Sequence, residues 1–430
     1  MEILFISKNG DALPLAIKLT EKHRVKFYCK GRKGKMGEGL VKVVPTWRPY
    51  FRTADLIIFD MVGMGNIAEF LRKRGKAVVG GGIFNDLIEL DRTKGTELMK
   101  RAGIAVPPTW TFKTVEEGKA FIRSNKGRYV LKPLGNQSTM WTYVAQAPDS
   151  RDLMEMLSVA DVPEGYELQL FIDGIEISTE GWFDGEKFVK PFNHTLERKK
   201  FMDRDKGPST GCMGNVVWFV DSDRLVEETL LKVEPYLKRA NYIGPLDINC
   251  IVTKDKAYGL EWTSRFGYSA LWALLECFQG DFAVWLGKFW QGQGDPMPVD
   301  KDKWGVAVRV SVPPYPTDAE YMKVMPCKDW SFFFEDAAWP HLWLADAYRG
   351  EDGVYRVAGV DGVVLEVTAR SNTLREARRR CYRTIDKIIL PNKQYRSDIG
   401  MRCWEDIPKL ESWKWVKRSD TLIFEKEQVD

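Results

Sequence analysis

The sequence predicts a mixed α/β protein that begins with a parallel sheet and ends in a β-rich region. At 430 residues the chain is too long for one hydrophobic core, so several domains are expected. Over residues 1–90, short apolar runs alternate with amphipathic stretches, a β-α-β rhythm typical of a parallel sheet wrapped by helices. From residue 305 onward most apolar runs have strand length, and one long helical pattern follows them. These patterns together predict a multidomain α/β fold.

Four regions are expected along the chain. They are an N-terminal α/β domain at 1–95, an α+β unit at 110–190, a central domain at 191–300 and a C-terminal β-rich domain at 305–430. Asp91 is the predicted cap of a helix that ends at Gly103. Ligands of parallel sheets lie beyond the carboxyl ends of the strands, so residues 7–11 and 60–65 are the expected substrate loops of the first domain.

Composition narrows the class of protein. Lys and Arg number 64 against 60 Asp and Glu, a net charge of +4, and no long basic run indicates a nucleic-acid partner. The seven cysteines form no CxxC pair and the three histidines lie far apart, which disfavours a zinc site. Reduced thiols in a cytoplasmic protein fit this pattern. No apolar run approaches the roughly 20 residues needed to cross a bilayer, so no membrane partner is expected.

The segment GPLDINCIVTKDKAYGLEWTSRFG, residues 244–267, predicts an antiparallel hairpin with a polar turn at 253–256. Counting outward from Lys254 makes Asp247 and Glu261 cross-strand neighbours. Two carboxylates converging on one sheet face are costly unless a cation lies between them. Mg²⁺ with oxygen ligands, completed by the phosphates of a nucleotide, is the cation expected there.

Three further residues extend this polar face. Because side chains alternate along a strand, Asn249 and Thr263 lie on the same side as the two carboxylates. Arg265 continues the alternation, and a guanidinium held there can clamp an oxyanion. The alternative is a hairpin whose outer face carries polar side chains with no further role.

Two other segments contain residues suited to nucleotide binding. YVLKP places Lys132 at the end of a predicted strand, before a glycine-polar loop at 134–139 that can cover phosphates. LQLFIDGIEIS, residues 168–178, predicts two strands around an Asp-Gly turn, with Glu176 able to accept from a ribose hydroxyl. Each signal has a plainer alternative, a structural lysine in the first case and an ordinary hairpin in the second.

Five motifs, in chain order, resemble those of the ATP-grasp superfamily and, within it, of the glycinamide ribonucleotide synthetases. RAGIAVPPTWTF (101–112) resembles the interdomain GIPTA linker, and LFIDGIE (170–176) resembles EFLDGEE. DRDKGPSTGCMG (203–214) resembles the GDTGPNTGGMG loop, and EWTSRFG (261–267) resembles EFNxRFGDPE. YRSDIGMRCWED (395–406) resembles the closing RxDIGxRA. The resemblance covers nearly the whole chain and implies an ATP-grasp fold, with a lid and a core between the two terminal domains.

The resemblance also implies a chemistry, in which ATP phosphorylates a carboxylate and an amine attacks the acyl phosphate to form an amide. The residues implied to bind ATP are Arg92, Lys132, Gln169, Leu170, Ile172 and Glu176. Glu261, Asp247 and Asn249 are expected to hold Mg²⁺ or Mn²⁺. Arg265 and Asp205 are the expected catalytic residues. A substrate-binding arm, mobile through its glycines, is expected at Gly207, Pro208, Ser209, Thr210 and Gly211.

Three positions depart from the family pattern, two at the nucleotide site and one in the substrate-side arm. Arg92 stands where the family has lysine, which replaces a point charge by a planar fork. Thr263 stands where the family has an asparagine metal ligand, so Asp247 or Asn249 is expected to compensate. Cys212 stands where the family loop has glycine, and it would be strained if that position needs a positive φ.

The two loops expected to hold the acceptor depart further. SKNGDAL (7–13) lacks the arginine, glutamate and histidine of the family's GxGGREH, and FDMVGMG (59–65) replaces its GPEAPL. Asp11 occupies the arginine position, where a carboxylate repels a phosphate, although Lys8 offers partial compensation. Weak or no activity with phosphoribosylamine is therefore expected.

The expected function is an ATP-dependent carboxylate–amine ligase that joins glycine, or a similar small amino acid, to an amine, in the manner of a purine-biosynthesis ligase. Two alternatives remain open. One is a divergent ligase that acts on another amine, such as a modified nucleoside or nucleotide; the other is a non-catalytic ATP-binding protein. The expected partners are small molecules, and the expected assembly is a monomer or a homodimer.

Overall fold

The computed structural model describes residues 1–133, 142–159, 165–293, 296–317, 325–419 and 422. The glycine-polar loop predicted at 134–139 lies outside these residues. Strands in this part of the chain form a five-stranded, an eight-stranded, a four-stranded and a three-stranded sheet. No helix among the described residues is long and apolar enough to cross a membrane.

The N-terminal sheet is parallel throughout, as the β-α-β rhythm predicts. Its region contains β1 (Glu2–Ser7), α1 (Leu13–Leu19), β2 (Arg24–Cys29), β3 (Lys42–Val43), β4 (Leu56–Ile58), α2 (Gly65–Arg72), β5 (Val78–Val79), α3 (Ile83–Leu90) and α4 (Arg92–Arg101). The strand order is β3-β2-β1-β4-β5. The Asp91 side chain caps α4 by accepting from the Lys94 N–H at 3.1 Å, which confirms the predicted helix start. The loops after β1 and β4 therefore lie side by side at one edge of the sheet.

The lid is a four-stranded antiparallel sheet with two helices. It contains β6 (Thr109–Phe112), α5 (Val115–Ser124), β7 (Tyr129–Pro133), β8 (Tyr143–Val144), α6 (Arg151–Val159) and β9 (Tyr166–Leu170). The strand order is β6-β9-β7-β8. A separate hydrophobic core that includes Leu131, Leu153 and Leu168 holds this sheet against its helices. A core of its own lets the lid behave as a distinct unit.

The eight-stranded sheet is the centre of the molecule. Its first part contains β10 (Ile175–Phe183), β11 (Phe188–Met202), β12 (Lys206–Val220), α7 (Arg224–Glu228), α8 (Leu230–Arg239), β13 (Gly244–Val252), β14 (Ala257–Thr263), α9 (Ser269–Cys277), α10 (Phe282–Trp290) and β15 (Trp304–Ser311). The remaining elements are β16 (Ser331–Phe332), β17 (Leu342–Leu344), β18 (Ala347–Arg349), β19 (Tyr355–Val357), β20 (Val363–Ser371), α11 (Leu374–Asp386) and α12 (Cys403–Ser412). The order of the large sheet is β14-β13-β10-β11-β12-β15-β20-β17.

This order corrects two expected boundaries. The expected break at 190 falls inside β11, because β10 and β11 pair with each other in the large sheet and not with the lid. The expected break near 305 separates β12 from β15, which are hydrogen-bonded neighbours. Apolar runs indicate that a strand exists, but the partner of that strand depends on register and turns far away in sequence.

The stretch at 203–214, expected to form a mobile arm, is largely β-strand. It forms the tip and second strand of a long hairpin, in which β11 and β12 pair from Phe192↔Val220 to Met202↔Lys206. Cys212 is buried in β12 and is absent from the residues with positive φ, so the strain expected at that position does not arise. Glycines at 207, 211 and 214 lie in β12, and those at 207 and 214 have positive φ values of +75° and +148°. The expected mobility of the stretch stays a prediction.

Candidate active site

One face of four adjacent strands in the large sheet carries polar side chains at alternate positions. The strands are β14, β13, β10 and β11, in that order across the sheet. The side chains are Glu261 and Thr263 on β14, Asp247 and Asn249 on β13, Glu176, Ser178 and Glu180 on β10, and Thr195, Glu197 and Lys199 on β11. All except Glu176 line one cleft, and Asn249 donates to Glu176 at its edge. Strand alternation thus assembles these cleft side chains from positions up to 85 residues apart, from Ser178 to Thr263.

The hairpin pairing differs from the predicted one by two residues. Asp247 lies opposite Thr263, and Asn249 lies opposite Glu261. A bulge leaves Leu260 unmatched, since Asn249 pairs with Glu261 whereas the next residue pairs with Gly259. A shift of two residues preserves the face on which each side chain lies, so the predicted grouping of the four polar residues is retained.

An ammonium group lies among the carboxylates of this cleft. Lys199 Nζ donates to Glu176 Oε1 at 3.0 Å and to Glu261 Oε1 at 3.2 Å, and it lies 3.8 Å from Glu197 Oε2. Burial alone would lower the pKa of Lys199, but the three carboxylates hold it well above its usual value. The Lys199 charge in turn lowers the pKa of Glu261 to about 2, so Glu261 is ionised at neutral pH.

The oxygens around Asn249 fit a divalent cation. Asn249 is buried and donates its amide N–H to Glu176 Oε1 at 2.9 Å, while its Oδ1 accepts no hydrogen bond. Its cross-strand neighbour Glu261 is half exposed toward the cleft, with 51% of the side chain accessible. Burial raises the pKa of Asp247, and Glu180 and Glu197 raise it further, so Asp247 is a poorer ligand. Over the described ranges no group of three or more His, Cys, Asp or Glu is arranged to hold a metal, so phosphate oxygens would have to complete the shell.

Two cations from other elements face Glu261. Lys132, on β7 of the lid, is close enough that the charges of Glu261 and Lys199 act on its pKa. Burial, assisted by the charge of Arg92, lowers the pKa of Lys132 to about 8. Arg92 begins α4, and its Nη1 lies 3.5 Å from the Pro133 carbonyl oxygen. The lid strand and the N-terminal helix therefore bring two cations to the same carboxylate, as expected for a phosphate site.

Arg265 is fixed just beyond the end of β14. Its Nε donates to Glu89 Oε1 at 2.6 Å, and its guanidinium lies 4.4 Å from the centre of the Tyr268 ring. Glu89 also accepts from the Ser264 N–H at 2.7 Å, which ties α3 to this turn. Only 12% of the Arg265 side chain is exposed, yet it lines the cleft beside Glu261 and Thr263. A guanidinium held in this way is preorganised for an anion.

The residues expected at the adenine position lie at the junction of the lid and the large sheet. Gln169 and Leu170 end β9, where Gln169 pairs with Thr109 and Leu170 N donates to the Pro108 carbonyl at 2.9 Å. The backbone of these two residues is thus engaged in the sheet, whereas Ile172 lies in the connection at 171–174, between β9 and β10.

The structure does not bring Asp205 to the cleft. Asp205 lies at the hairpin tip, where its carboxylate is 2.9 Å from Arg396, 3.3 Å from Arg402 and 3.6 Å from Arg198. These contacts tie the tip to the C-terminal region, so the expected catalytic position of Asp205 is corrected to an anchoring one. Among the five expected substrate-binding residues, Gly211 lines the cleft.

The other four expected substrate-binding residues keep to the hairpin. The lining of the cleft contains none of these four, which are Gly207, Pro208, Ser209 and Thr210. Thr210 Oγ1 instead donates to the Lys199 carbonyl at 2.8 Å, which braces the strand that carries the cleft ammonium.

Sequence reasoning missed Lys199, Glu197 and Glu180. A signal for them exists, since IEISTE and TLERK each place polar residues at alternate positions of an otherwise strand-like run. Glu180 is buried, which raises its pKa to about 7, and its Oε1 accepts from the Trp182 indole at 3.2 Å. Without the strand order, nothing placed these residues beside Glu261.

Comparison with known proteins agrees with this geometry. Residues 92–269 match the family described as phosphoribosylglycinamide synthetase, ATP-grasp (A) domain. The phosphoribosylamine–glycine ligase of Clostridium acetobutylicum is 23% identical over 430 aligned positions, covering 93% of this chain and 99% of that protein.

Solved structures show the same fold. The crystal structure of phosphoribosylamine–glycine ligase from Thermotoga maritima has a TM-score of 0.67 at 19% identity, with 93% of this chain and all of that chain covered. The biotin carboxylase domain of Hydrogenobacter thermophilus 2-oxoglutarate carboxylase, in complex with MgADP and bicarbonate, has a TM-score of 0.59 at 11% identity and covers 91% of each chain. The chain therefore has the ATP-grasp fold over most of its length, and residues 92–269 are similar to the phosphoribosylglycinamide synthetase ATP-grasp (A) domain.

Proposed function

We propose that this protein is an ATP-dependent carbon–nitrogen ligase, which activates the carboxylate of glycine or a similar small amino acid and transfers the acyl group to an amine. The observation that carries the proposal is the charge arrangement around Glu261. The pKa of Glu261 is lowered by the positive charges of three residues on three different elements, Lys199, Lys132 and Arg92. Arg265 lines the same cleft. Polyphosphate needs several cations of this kind, because its charge is expensive to desolvate without partners.

The nucleotide would lie between the lid and the large sheet. Lys132 and Arg92 would hold its phosphates, the connection at 171–174 would meet the adenine, and Glu176 would accept from the ribose. Glu176 suits this role because Lys199 lowers its pKa and keeps it an acceptor, while half of its side chain is exposed. A charge-assisted hydrogen bond of this kind contributes about 1.5–3 kcal/mol.

Mg²⁺ or Mn²⁺ would be held by Glu261, by the unpartnered Oδ1 of Asn249 and by phosphate oxygens, with Lys199 displaced toward Glu197. When bound, the cation supplies charge neutralisation to the transferring phosphoryl group. Thr263, opposite Asp247, lines the same cleft.

The reaction would proceed in two steps, phosphorylation of the carboxylate and attack by the amine. A carboxylate oxygen attacks the γ-phosphorus of ATP, an O–P bond forms, and ADP leaves. The amine nitrogen then attacks the acyl carbon, the C–N bond forms as the C–O bond to phosphate breaks, and the nitrogen loses a proton to solvent. Arg265 faces the cleft next to Gly211 and Gly267, where it would stabilise the oxygens of the acyl phosphate. The curated relatives are phosphoribosylamine–glycine ligases, which supports glycine as the first carboxylate to test.

Trapping with hydroxylamine tests this function without knowledge of the acceptor. The protein is incubated with ATP, Mg²⁺, hydroxylamine and each amino acid in turn, and ADP and the amino acid hydroxamate are measured by mass spectrometry. We expect a hydroxamate with glycine, and its loss in Arg265→Gln. Arg101→Gln is the matched control, since Arg101 is a surface residue of α4 with 72% of its side chain exposed. Binding of ATP with no hydroxamate from any amino acid would instead support a non-catalytic ATP-binding protein.

A further inference from the structure

A second cavity adjoins the cleft on the side of the N-terminal sheet. It shares Gly211, Gly267 and Tyr268 with the cleft and measures about 260 Å³. Its floor is formed by the loops after β1 and β4, which contribute residues 9–12 and Asp60. The cavity thus adjoins the cleft in which the proposed acyl phosphate would lie, on the side from which an amine would attack.

Acidic side chains dominate this cavity. The carboxylates that line it are Asp11, Asp60, Asp346, Asp361 and Glu366. Arg309 is the one lysine or arginine side chain in its lining among the residues that the structure describes. The Arg309 guanidinium is already committed, because its Nε and Nη2 donate to Glu366 Oε1 at 3.2 and 3.0 Å. A phosphorylated acceptor would therefore meet several carboxylates and a cation that is shared with one of them.

Three of these carboxylates present a buried oxygen that has no hydrogen-bond partner: Oδ2 of Asp11, Oδ1 of Asp60 and Oε2 of Glu366. Asp60 is 1% exposed; its Oδ2 accepts from Ser7 Oγ and from the Ala12 N–H, both at 2.8 Å, while its Oδ1 accepts nothing. Glu366 is 3% exposed, and its Oε2 is likewise unpartnered. Asp346 is different, since N–H groups of residues 360–362 satisfy it. Unpaired buried oxygens are costly, and a ligand that donates to them removes that cost.

Aromatic side chains form the remaining wall. Trp272 and Trp343 stack with their ring centres 4.8 Å apart, and Phe266, Tyr268 and Met36 complete the apolar lining. An aliphatic chain fits such a wall, and an ammonium group is attracted to aromatic faces in addition to carboxylates. Burial, with the charge of Asp11, raises the pKa of Asp60 to about 7, so a bound cation would also favour its ionised form.

We propose, building on the ligase function above, that the acceptor is a small aliphatic diamine or polyamine. One nitrogen attacks the acyl phosphate as the free amine, whereas a second nitrogen remains an ammonium ion paired with Asp60 and Asp11. The transfer forms one C–N bond, breaks the C–O bond to phosphate and releases one proton from the attacking nitrogen. The second ammonium takes no part in bond making and serves to recognise the acceptor.

Titration calorimetry on the full chain, without ATP, tests recognition by itself. The probes are putrescine, butylamine and O-phosphoethanolamine. Putrescine should bind about 10- to 100-fold more tightly than butylamine, which lacks the second charge, and O-phosphoethanolamine should bind weakest. Equal binding of putrescine and butylamine, or tighter binding of O-phosphoethanolamine, would overturn the proposal.

Variants distinguish binding in the cavity from a general attraction between the cationic amine and the charge of the protein. Asp60→Asn should remove most of the preference for putrescine over butylamine, and Asp11→Asn should reduce it by a smaller factor. Asp11→Asn also covers the case in which Asp60→Asn fails to fold. Asp55→Asn is the matched control, because Asp55 is an exposed aspartate of the same domain that accepts the Glu2 N–H at 2.7 Å and does not line the cavity. If Asp55→Asn reduced the preference for putrescine over butylamine as much as Asp60→Asn does, the preference would not arise from the cavity.

Activity then distinguishes the two proposals. With glycine, ATP and Mg²⁺, putrescine should yield N-glycylputrescine, and it should suppress the hydroxamate formed with hydroxylamine. A hydroxamate that putrescine neither suppresses nor replaces would leave the ligase intact and refute the diamine. Absence of hydroxamate together with tight putrescine binding would refute the ligase and retain the cation site.

Discussion

The nucleotide cleft and the acceptor cavity share three residues and differ in their balance of charge. In the cleft, carboxylates alternate with cations: Lys199 bridges Glu176 and Glu261, and Lys132 approaches from the lid. Five carboxylates and one arginine line the cavity, and Glu366 already engages that arginine; Arg265 of the cleft acts on Asp11 from outside the lining. The first arrangement accommodates an anionic ligand together with a metal ion, and the second accommodates a cation. If both proposals hold, the nucleotide site has been kept while the neighbouring loops have changed the acceptor.

The largest expected effect comes from Glu261→Gln. Glu261 is the ionised ligand of the proposed metal, and losing it should reduce ATP-dependent turnover by about 100-fold or more. Putrescine binding without ATP should stay unchanged, since Glu261 does not line the acceptor cavity. Initial rates over a Mg²⁺ titration, with Glu97→Gln on the exposed face of α4 as the control, measure the effect. Turnover close to that of the unaltered chain would remove Glu261 from the metal site.

A smaller effect, with a characteristic pH dependence, is expected at Lys132. The pKa of Lys132 is lowered to about 8 by burial and by Arg92, so the free protein loses this positive charge as the pH rises through 8. ATP binds the protonated form more tightly, and the KM for ATP should therefore rise between pH 8 and 10. Steady-state kinetics at saturating glycine and acceptor provide the measurement.

Two substitutions isolate the origin of that pH dependence. Lys132→Arg keeps a charge at every accessible pH, so the rise in KM above pH 8 should disappear. Lys132→Met should raise the KM about 10- to 100-fold at pH 7 and should also be independent of pH. A rise that persists in Lys132→Arg would assign the titration to another group and would weaken the phosphate role of this lysine.

Lys199→Met should modestly increase metal affinity, whereas Glu261→Gln should decrease it. In the structure the Lys199 ammonium competes for the Glu261 carboxylate, so its removal should tighten Mn²⁺ binding to the nucleotide-free protein by about two- to fivefold. Electron paramagnetic resonance of free Mn²⁺ provides the readout. Lys232→Met, which removes an ion-paired lysine of α8, is the control. Weaker binding in Lys199→Met would show that the lysine organises the metal site rather than competes with it.

The cleft residues show which parts of the site can be predicted from the sequence. Alternation within the 244–267 hairpin grouped Asp247, Asn249, Glu261 and Thr263 correctly, because the side of a strand on which a residue lies survives an error of two in register. The exact partners were wrong for two reasons. The turn is centred between Lys254 and Asp255 rather than on Lys254, which shifts the pairing by one residue, and the bulge at Leu260, which has no marker in the sequence, shifts it by one more. Lys199 and Glu197 were missed for another reason, since their position depends on which strands become neighbours, and this is decided by packing over the whole sheet.

The N-terminal loops show a different limit. The loss of the family's arginine, with Asp11 and Asp60 in the two loops, predicted a poor site for phosphate. The structure adds Asp346, Asp361 and Glu366 to the same cavity. Glu366 comes from β20, more than 300 residues along the chain from Asp60, so no local pattern could join them. The sequence could state what the loops lack, whereas the tertiary contacts were needed to state what the cavity contains.

The smallest expected effect lies outside both regions, at Asp205. A family motif singled out this residue, yet its carboxylate bonds to Arg396 at the hairpin tip and lies outside both the cleft and the cavity. Its φ of +54° is one that asparagine also tolerates, so Asp205→Asn removes the charge without straining the backbone. We expect kcat close to that of the unaltered chain, together with faster amide hydrogen exchange at residues 203–207, because the tip loses its ionic anchor. Mass-detected exchange and steady-state rates on the same preparation provide both values. A large fall in kcat with unchanged exchange would instead require the hairpin tip to reach the reacting groups during turnover. The molecule would then have a third functional region, a mobile one, in addition to the cleft and the cavity.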